Sequence, residues 1–541
     1  MSNDNEMDVF AAHEDDVEYS DETALAARVQ QKYVGCLIGG AVGDALGAPV
    51  EFMSAATIRQ RFGVNGIQEF VHAFGKLGAI TDDTQMTLFT AEGLLRSRFS
   101  GQKPTLPELR IYIAKAYQRW MHTQGYKHEL QTGICNGWLM GQEELFSGRA
   151  PGNTCLSGLQ SMRNPSDLAG NNSKGCGGVM RVAPIGMYFA SLSRHHEGQH
   201  QQFLQDSFDL GCQAAAITHG HPTGQLSSGV FSGIIMELLS GKELPDAIDA
   251  VLPLLRGRTS CEETLGAVET ARRLAANRPN DSAALHLLGG GWVAEEALAI
   301  ALYCALSAKD FRSGVELSVN HSGDSDSTGS MTGQLLGAIL GYESIPATWQ
   351  EPLELETVIS SIADDLTLCD WTVAEIAATA IGLPPKGLNT LTETAALRAY
   401  AVMVNTLALD GFEPLLADDF GYASQRNFKN HESKKDFLEF MNTVHQAIRD
   451  SDDTAYAEMG RVWCATSIMC SPTVEAAESV AAAQAASRSG NIRPCVILAQ
   501  GDKENPELVV LAEVDGNKLK RIDLCVIPGP DVAQRSGEYP E

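Results

Sequence analysis

Ala294-Glu295-Glu296-Ala297-Leu298-Ala299-Ile300-Ala301-Leu302 repeats its apolar side chains at three and four residues, the period of a helix rather than the alternation of a strand. The same period runs through Leu88, Phe89, Ala91, Leu94 and Leu95, and the pattern stays helical from Tyr33 to about Pro384. No strand–helix alternation occurs over that range, so a parallel sheet is not indicated. Glycine-rich segments punctuate the helices at Gly35–Gly47, Gly175–Gly178, Gly289–Gly291 and Gly323–Gly341, where a missing Cβ lets a backbone approach another backbone or a ligand. The expectation for this stretch is an all-helical globule.

Outside it the pattern changes. Pro384-Pro385-Lys386-Gly387 ends any helix and reads as a linker. Beyond it, 391–409 and Lys434 to about Ile448 read as helices, and the alanine-rich 474–489 as a third. Cys495–Ala499, Leu508–Ala512 and Lys520–Val526 are strand-like, with Asp515-Gly516 as a turn signal. The expected organisation is an acidic, flexible extension over 1–30, a helical domain over 31–383, and a linker over 384–389. A smaller α+β domain follows over 390–530, then a tail over 531–541.

Composition narrows the function. The chain has 541 residues, 44% hydrophobic and 20% charged, enough to bury a sizeable core. Its net charge of −28 argues against a general grip on nucleic-acid phosphates and against anionic membranes. The first residues lack the cationic start and apolar run of a signal peptide, and no apolar run is long enough to span a bilayer. None of the twelve cysteines forms a C-x-x-C pair, so free thiols in a cytoplasmic protein are expected. Residues 1–27 hold nine acidic residues and no Lys or Arg, a block that usually stays solvated, although Val9, Phe10, Val17 and Tyr19 leave room for a basic partner.

Two acidic clusters precede apolar helices: Thr81-Asp82-Asp83-Thr84 and Gly323-Asp324-Ser325-Asp326-Ser327-Thr328-Gly329. Singly, each is explained by helix capping. Together, four carboxylates with Thr and Ser hydroxyls form the hard oxygen set that Mg²⁺ or Mn²⁺ prefers, and gathering them without a cation is costly. An extended Asp-x-Asp segment would turn both carboxylates to one side as a chelate. Glu51, after the helix-breaking Pro49, is a third acidic contributor.

The order of these motifs resembles the ADP-ribosylglycohydrolase family. The resemblance covers about 33–345 and rests on Gly39-Gly40-Ala41-Val42-Gly43-Asp44-Ala45-Leu46-Gly47 with Glu51, on Thr81-Asp82-Asp83-Thr84, on Met180-Arg181-Val182-Ala183-Pro184, on Thr218-His219 and on Gly323-Asp324-Ser325-Asp326-Ser327. It implies an orthogonal bundle of α-helices that hydrolyses the glycosidic bond between ADP-ribose and a protein side chain, using two Mg²⁺ ions. Position by position it makes Thr81, Asp82, Asp83, Asp324, Asp326 and Ser327 the metal-site residues, with Ser327 where many members carry Thr. Glu51 becomes a mobile glutamate, and Glu51 or Asp324 the group that transfers the proton. Asp44, inside a helix, reads as a buried structural carboxylate.

Ser173-Lys174-Gly175-Cys176-Gly177-Gly178 is not a Walker loop, yet glycine-turn N–H groups before a helix cradle anions. The resemblance puts Gly175, Cys176, Gly177 and Gly178 near the diphosphate and distal ribose, with Cys176 where many members have Asn, and puts His219 in the cleft lining. Arg181 is expected to brace the loop, and Cys176 to be a structural thiol rather than a nucleophile. Trp292, after Gly289-Gly290-Gly291, reads either as a wall of the cleft or as the commoner core tryptophan.

The form Asn320-His321-Ser322-Gly323-Asp324-Ser325-Asp326-Ser327 looks closest to members acting on ADP-ribosyl-arginine, and an acidic rim would suit a guanidinium leaving group. Such an activity could serve as immunity against an ADP-ribosyltransferase toxin, with residues 1–27 steering toward its basic cleft. The competing readings are an inactive ADP-ribose- or partner-binding protein of the same fold, and a metal-dependent phosphoesterase acting on ADP-ribose. The C-terminal region weakly resembles nuclear-transport-factor-2-like domains, through Leu415–Ser424, Ser433–Leu438 and the terminal strands. An accessory role is expected of it.

Overall fold

The structure is a computed structural model describing residues 14–97, 103–131, 135, 138–196, 198–369, 393–409, 412–424, 430–431, 433–449, 454–464, 491–500, 506–515, 518–525, 533–535 and 539. The expected linker at 384–389, the expected helix at 474–489 and the first half of the acidic extension lie outside these residues. The chain divides into two compact units. One comprises Met1–Leu95, Thr105–Ile134 and Glu144–Cys369, the other Arg96–Pro104, Cys135–Glu143 and Asp370–Glu541.

The regular structure of the first unit is helical, as expected. Its helices are α1 Glu14–Gly47, α2 Ala55–Phe62, α3 Asp82–Ser97, α4 Leu106–Thr123, α5 Asn153–Ser161, α6 Ala183–His195, α7 His200–Ala216 and α8 Pro222–Leu239. Then come α9 Leu244–Arg256, α10 Glu262–Asn277, α11 Ser282–Leu285, α12 Ala294–Ser307, α13 Phe311–Val319, α14 Ser325–Leu340, α15 Ala347–Gln350 and α16 Glu356–Thr367. Helix starts follow capping chemistry: Ser54 Oγ accepts Thr57 N–H at 3.1 Å before α2, and Asp310 accepts Ser313 N–H at 2.7 Å before α13. α12 is apolar nearly all round and lies almost wholly buried. Boundaries differ from expectation at both ends, since the first unit ends at Cys369 rather than at 383 and the acidic extension is not separate from it. α1 starts at Glu14, so the second half of the acidic extension, expected to be mobile, continues into a helix.

The crossing of α1 and α14 positions the rest. Along α1, Gly35, Gly39, Gly43 and Gly47 recur every fourth residue and so lie on one face. Along α14, Gly329, Gly333 and Gly337 do the same. The helices meet in opposite directions, backbone to backbone: a Cβ added at Gly43 would lie 2.0 Å from Gly329 O, at Gly39 2.4 Å from Gly333 O, and at Gly35 2.6 Å from Gly337 O. A Cβ at Gly47 would lie 2.3 Å from Ser325 O and 2.6 Å from Asp326 Cα. The end of α1 is thereby pressed against the start of α14.

Among the described residues the second unit holds α17 (Glu393–Thr406), α18 (Lys434–Arg449) and one seven-stranded sheet, so the expected α+β character holds. The strands are β1 Leu416–Ser424, β2 Asn430–His431, β3 Ala455–Cys464, β4 Asn491–Gln500, β5 Leu508–Asp515, β6 Lys518–Cys525 and β7 Ala533–Arg535. Their order is β2-β1-β6-β5-β4-β3-β7, with β1 parallel to β6 and the other pairs antiparallel. Alternate residues face opposite sides: Val496 and Val510 join Phe420, Phe437 and Tyr400 in one core, while Ile497 and Val509 join Val462 and Cys495 in another.

Candidate active site

Three helix ends converge on one acidic cluster. α1 stops at Gly47 and the chain turns tightly, with Val50 N–H bonded to Gly47 O at 2.9 Å and Met53 N–H to Val50 O at 2.9 Å. That turn carries the half-buried Glu51. α3 contributes Asp82 and Asp83 from its first turn, and α14 contributes Asp324 as its cap and Asp326 just inside. Carboxylate oxygens of Glu51, Asp324 and Asp326 all lie within 4.8 Å of one another. The expected extended Asp-x-Asp chelate is corrected here: the spacing works because a cap and the second residue of a helix project toward the same end.

Asp44 has the structural role expected of it. Fully buried in α1, it accepts the N–H groups of Thr81 at 3.0 Å and Thr84 at 3.2 Å, so a carboxylate from one helix caps the start of another. Asp82 Oδ2 accepts Gly152 N–H at 3.1 Å, and Asp83 N–H bonds Thr81 Oγ1 at 3.2 Å. Asp83 Oδ1 is buried with no hydrogen-bond partner. Asp324 is engaged at both oxygens: Oδ1 accepts Ser327 N–H at 3.3 Å, and Oδ2 accepts the Cys176 thiol at 2.8 Å.

The electrostatics are those of charge gathered without compensation. Burial, then the neighbouring carboxylates led by Asp326, pushes Glu51 up to about 9 and Asp44 up to about 7. Burial likewise holds Asp82, Asp83 and Asp324 well above the usual carboxylate range and raises Asp326. The positive ends of α3 and α14 offset only part of this. A buried, unpartnered carboxylate oxygen within a crowd of raised carboxylates, flanked by the hydroxyls of Thr81 and Ser327, fits a divalent-cation site.

The glycine loop stands beside Asp324 as a short three-residue helical turn, Cys176–Gly178. Cys176 N–H bonds Trp292 O at 3.2 Å, and Ala294 N–H bonds Lys174 O at 2.8 Å, so the loop pairs with the segment after Gly289–Gly291. Burial and the Asp324 charge push the Cys176 thiol well up, which leaves it a donor and not a nucleophile. His219 is 1% exposed and bonds Thr218 Oγ1 at 2.8 Å; its ring packs under Gly175 and Gly177. Burial, then the Arg181 charge, lowers it to about 3, so it stays neutral. Arg181 braces the loop: fully buried, it donates to Thr218 Oγ1 at 2.7 Å and Ala214 O at 3.3 Å and stacks 4.2 Å over the Tyr117 ring.

Two pairings escaped the sequence reading, which offered Trp292 as a cleft wall without naming its partner. Trp292 is 45% exposed, which removes the core-tryptophan alternative, and it stacks on Phe52, 78% exposed, with centroids 5.7 Å apart. Glu296 accepts the N–H groups of Gly290 at 2.9 Å and Gly291 at 3.2 Å, while Gly290 O accepts Asp324 N–H at 2.8 Å. The only signal for the first was a large apolar residue directly after Glu51 in a turn. Nothing in the sequence pairs Glu296 with the glycines.

Comparison with known proteins gives the family. The family model described as ADP-ribosylglycohydrolase matches residues 25–375. An ADP-ribosyl-[dinitrogen reductase] glycohydrolase of Rhodospirillum rubrum is 25% identical over 335 residues, 61% of this chain and 92% of that protein. An ADP-ribosylarginine hydrolase, Tri1, of Serratia proteamaculans is 24% identical over 342 residues, covering 62% and 78%. The ADP-ribosylhydrolase ARH3 of Bos taurus is 25% identical over 381 residues, covering 61% and 91%. No helix of the described residues is long and apolar enough to cross a membrane.

Proposed function

We propose, from the premise that this chain belongs to the ADP-ribosylglycohydrolase family, that it removes ADP-ribose from modified arginine side chains by metal-dependent hydrolysis. The observation that carries the metal dependence is the carboxylate cluster with its orphaned Asp83 oxygen. Thr81, Asp82, Asp83, Asp324, Asp326 and Ser327 would hold two Mg²⁺ ions, with Mn²⁺ as a substitute. Such ions, when bound, supply Lewis-acid activation of a water and of sugar hydroxyls. The arginine linkage is supported by the Asn320–Ser327 pattern and by likeness to a relative named for that activity.

The chain's own residues supply the rest. Hydrolysis at the anomeric carbon puts the hydroxyl of water on that carbon and its proton on the leaving nitrogen, so one group must accept and deliver a proton. Glu51 suits this better than Asp324, because both Asp324 oxygens are already engaged and Glu51 sits half-buried on a turn. The N–H groups of Gly177 and Gly178 in the glycine loop would orient the diphosphate. Immunity against an arginine-modifying transferase would follow from this chemistry. A contact through residues 1–27 is a separate proposal, and residues 1–13 lie outside those described.

The test is incubation with ADP-ribosyl-arginine, ADP-ribosyl-serine and O-acetyl-ADP-ribose, with Mg²⁺ or with EDTA. Free ADP-ribose, released fastest from arginine and abolished by EDTA, is the expected result. AMP with ribose phosphate would indicate a phosphoesterase, and no product a binding protein.

A further inference from the structure

Phe52 and Trp292 leave a large area of aromatic ring in water at the edge of the acidic cluster. Their planes lie 20° from parallel, and each is tied to a site carboxylate. Phe52 follows Glu51 directly. Trp292 is fixed through its backbone: its carbonyl accepts Cys176 N–H, and the preceding Gly290 and Gly291 are held by Glu296. Gly289, at φ 103°, makes room for that carboxylate, since a Cβ there would fall 2.2 Å from its carboxyl carbon. Gly291 packs against Asp324, where a Cβ would lie 3.3 Å from the aspartate Cβ. The indole is therefore held in register with Asp324.

The chemistry of this patch selects its occupant. An aromatic face carries negative quadrupole charge and attracts a cation, most of all a flat one that can stack. The cluster beside the rings is built of carboxylates, with Glu51, Asp324 and Asp326 within 4.8 Å of one another, a neighbourhood that favours a cation over a neutral group. A hydroxyl leaving group gains from neither feature, whereas a planar delocalised cation gains from both.

We propose that Phe52 and Trp292 form the leaving-group subsite and select the guanidinium of a modified arginine over a hydroxyl-bearing side chain. This rests on the hydrolase reading above and names the feature that would set its linkage. As the C1″–N bond breaks, its electron pair stays on the nitrogen, the hydroxyl of water goes to C1″, and the proton of water restores the guanidinium. The stacked rings hold that group before and after cleavage.

The test compares the full-length wild type with Trp292→Ala, Phe52→Ala and Trp292→Phe on two peptides of one sequence, ADP-ribosylated on arginine or on serine. The arginine-over-serine ratio of kcat/KM should fall about tenfold in Trp292→Ala, fall less in Phe52→Ala, and stay within about threefold of wild type in Trp292→Phe, which keeps an aromatic face. Free agmatine as a competitive inhibitor gives a second readout, and its Ki should rise about tenfold in Trp292→Ala only. An unchanged ratio with an unchanged agmatine Ki overturns the subsite and leaves the hydrolase reading standing. Cleavage of neither peptide by the wild type overturns both.

Discussion

Along the α1–α14 crossing, Gly35, Gly39, Gly43 and Gly47 press helix backbone on helix backbone. In the C-terminal unit the opposite material is used: Phe412, Phe420, Tyr422 and Phe437 fill the layer between sheet and helices, with ring centroids 4.9 to 6.2 Å from Phe437. Large side chains bury more apolar area per residue and leave rotamers to absorb a misfit. Glycines bury little, but a backbone contact has almost no freedom to shift. The crossing therefore gives up burial for positional precision, and it does so where Glu51 must meet Asp324 and Asp326. An error of about 1 Å there can cost about 10²-fold in rate. In the aromatic layer a change of rotamer can absorb such an error.

The largest effect tests the aromatic side. Phe437→Ala removes a fully buried ring and should cost about 3–5 kcal/mol, read as a drop in the urea midpoint of the C-terminal unit. Hydrolysis, measured well below that midpoint, should stay within about twofold of wild type, since Phe437 belongs to a core that includes none of the site residues. A parallel loss of activity would show that the two units are not energetically separate.

Next come the charges that the crossing gathers. Asp83→Ala should lower kcat/KM by about 10²-fold or more, roughly 2.7 kcal/mol, and EDTA should take the wild type to the same level. The stability counterpart has a definite sign. Glu51 is held to about 9 when folded, above its unfolded value, so the folded state keeps its proton longer. That contribution is fully present at low pH and is lost as pH rises from the ordinary carboxylate range toward about 9. In EDTA, thermal stability should fall across pH 5 to 8, and Mg²⁺ should restore it. A flat profile in EDTA would mean that the carboxylates are compensated by something other than a cation.

The crossing itself gives the third effect. Gly43→Ala brings a methyl group into a space where the nearest atom, Gly329 O, would be 2.0 Å away, so the helices must part. The expected cost is about 1–3 kcal/mol by thermal or urea unfolding. Activity should fall by more than stability alone explains, because the same displacement moves Asp326 away from Glu51. Full activity at full occupancy of the folded state would break the link between close approach and the site.

What was legible follows the same division. The acidic clusters at 81–84 and 324–327 could be read because capping and ligation use the same short-range pattern, and the helical period of α12 survives in a nearly all-apolar run. The four-residue glycine spacing is also written in the chain, but which face meets which depends on tertiary pairing. Phe52 and Trp292 come from distant segments, so their stacking has no local signature. β3 was missed because Glu458, Gly460 and Arg461 interrupt the alternation. Glu458 pairs with Arg535 at 2.7 Å, and so hides a strand behind a charge that only the fold satisfies.

The smallest effect should carry the opposite sign. Gly266, exposed in the middle of α10, has nothing within 4 Å of an added Cβ and no left-handed φ. Gly266→Ala therefore meets no obstacle, and the only terms left are the backbone entropy that glycine loses in a helix and the helix preference of alanine. Both favour the substitution, by about 0.8–1 kcal/mol in a helix interior. One chemical change, a single methyl group, should thus destabilise the molecule at Gly43 and stabilise it at Gly266, with activity kept in the second case. Equal and small effects at both sites, in urea unfolding of the two variants, would mean that the glycines of the crossing are incidental and that the Glu51–Asp324–Asp326 geometry is held by other contacts.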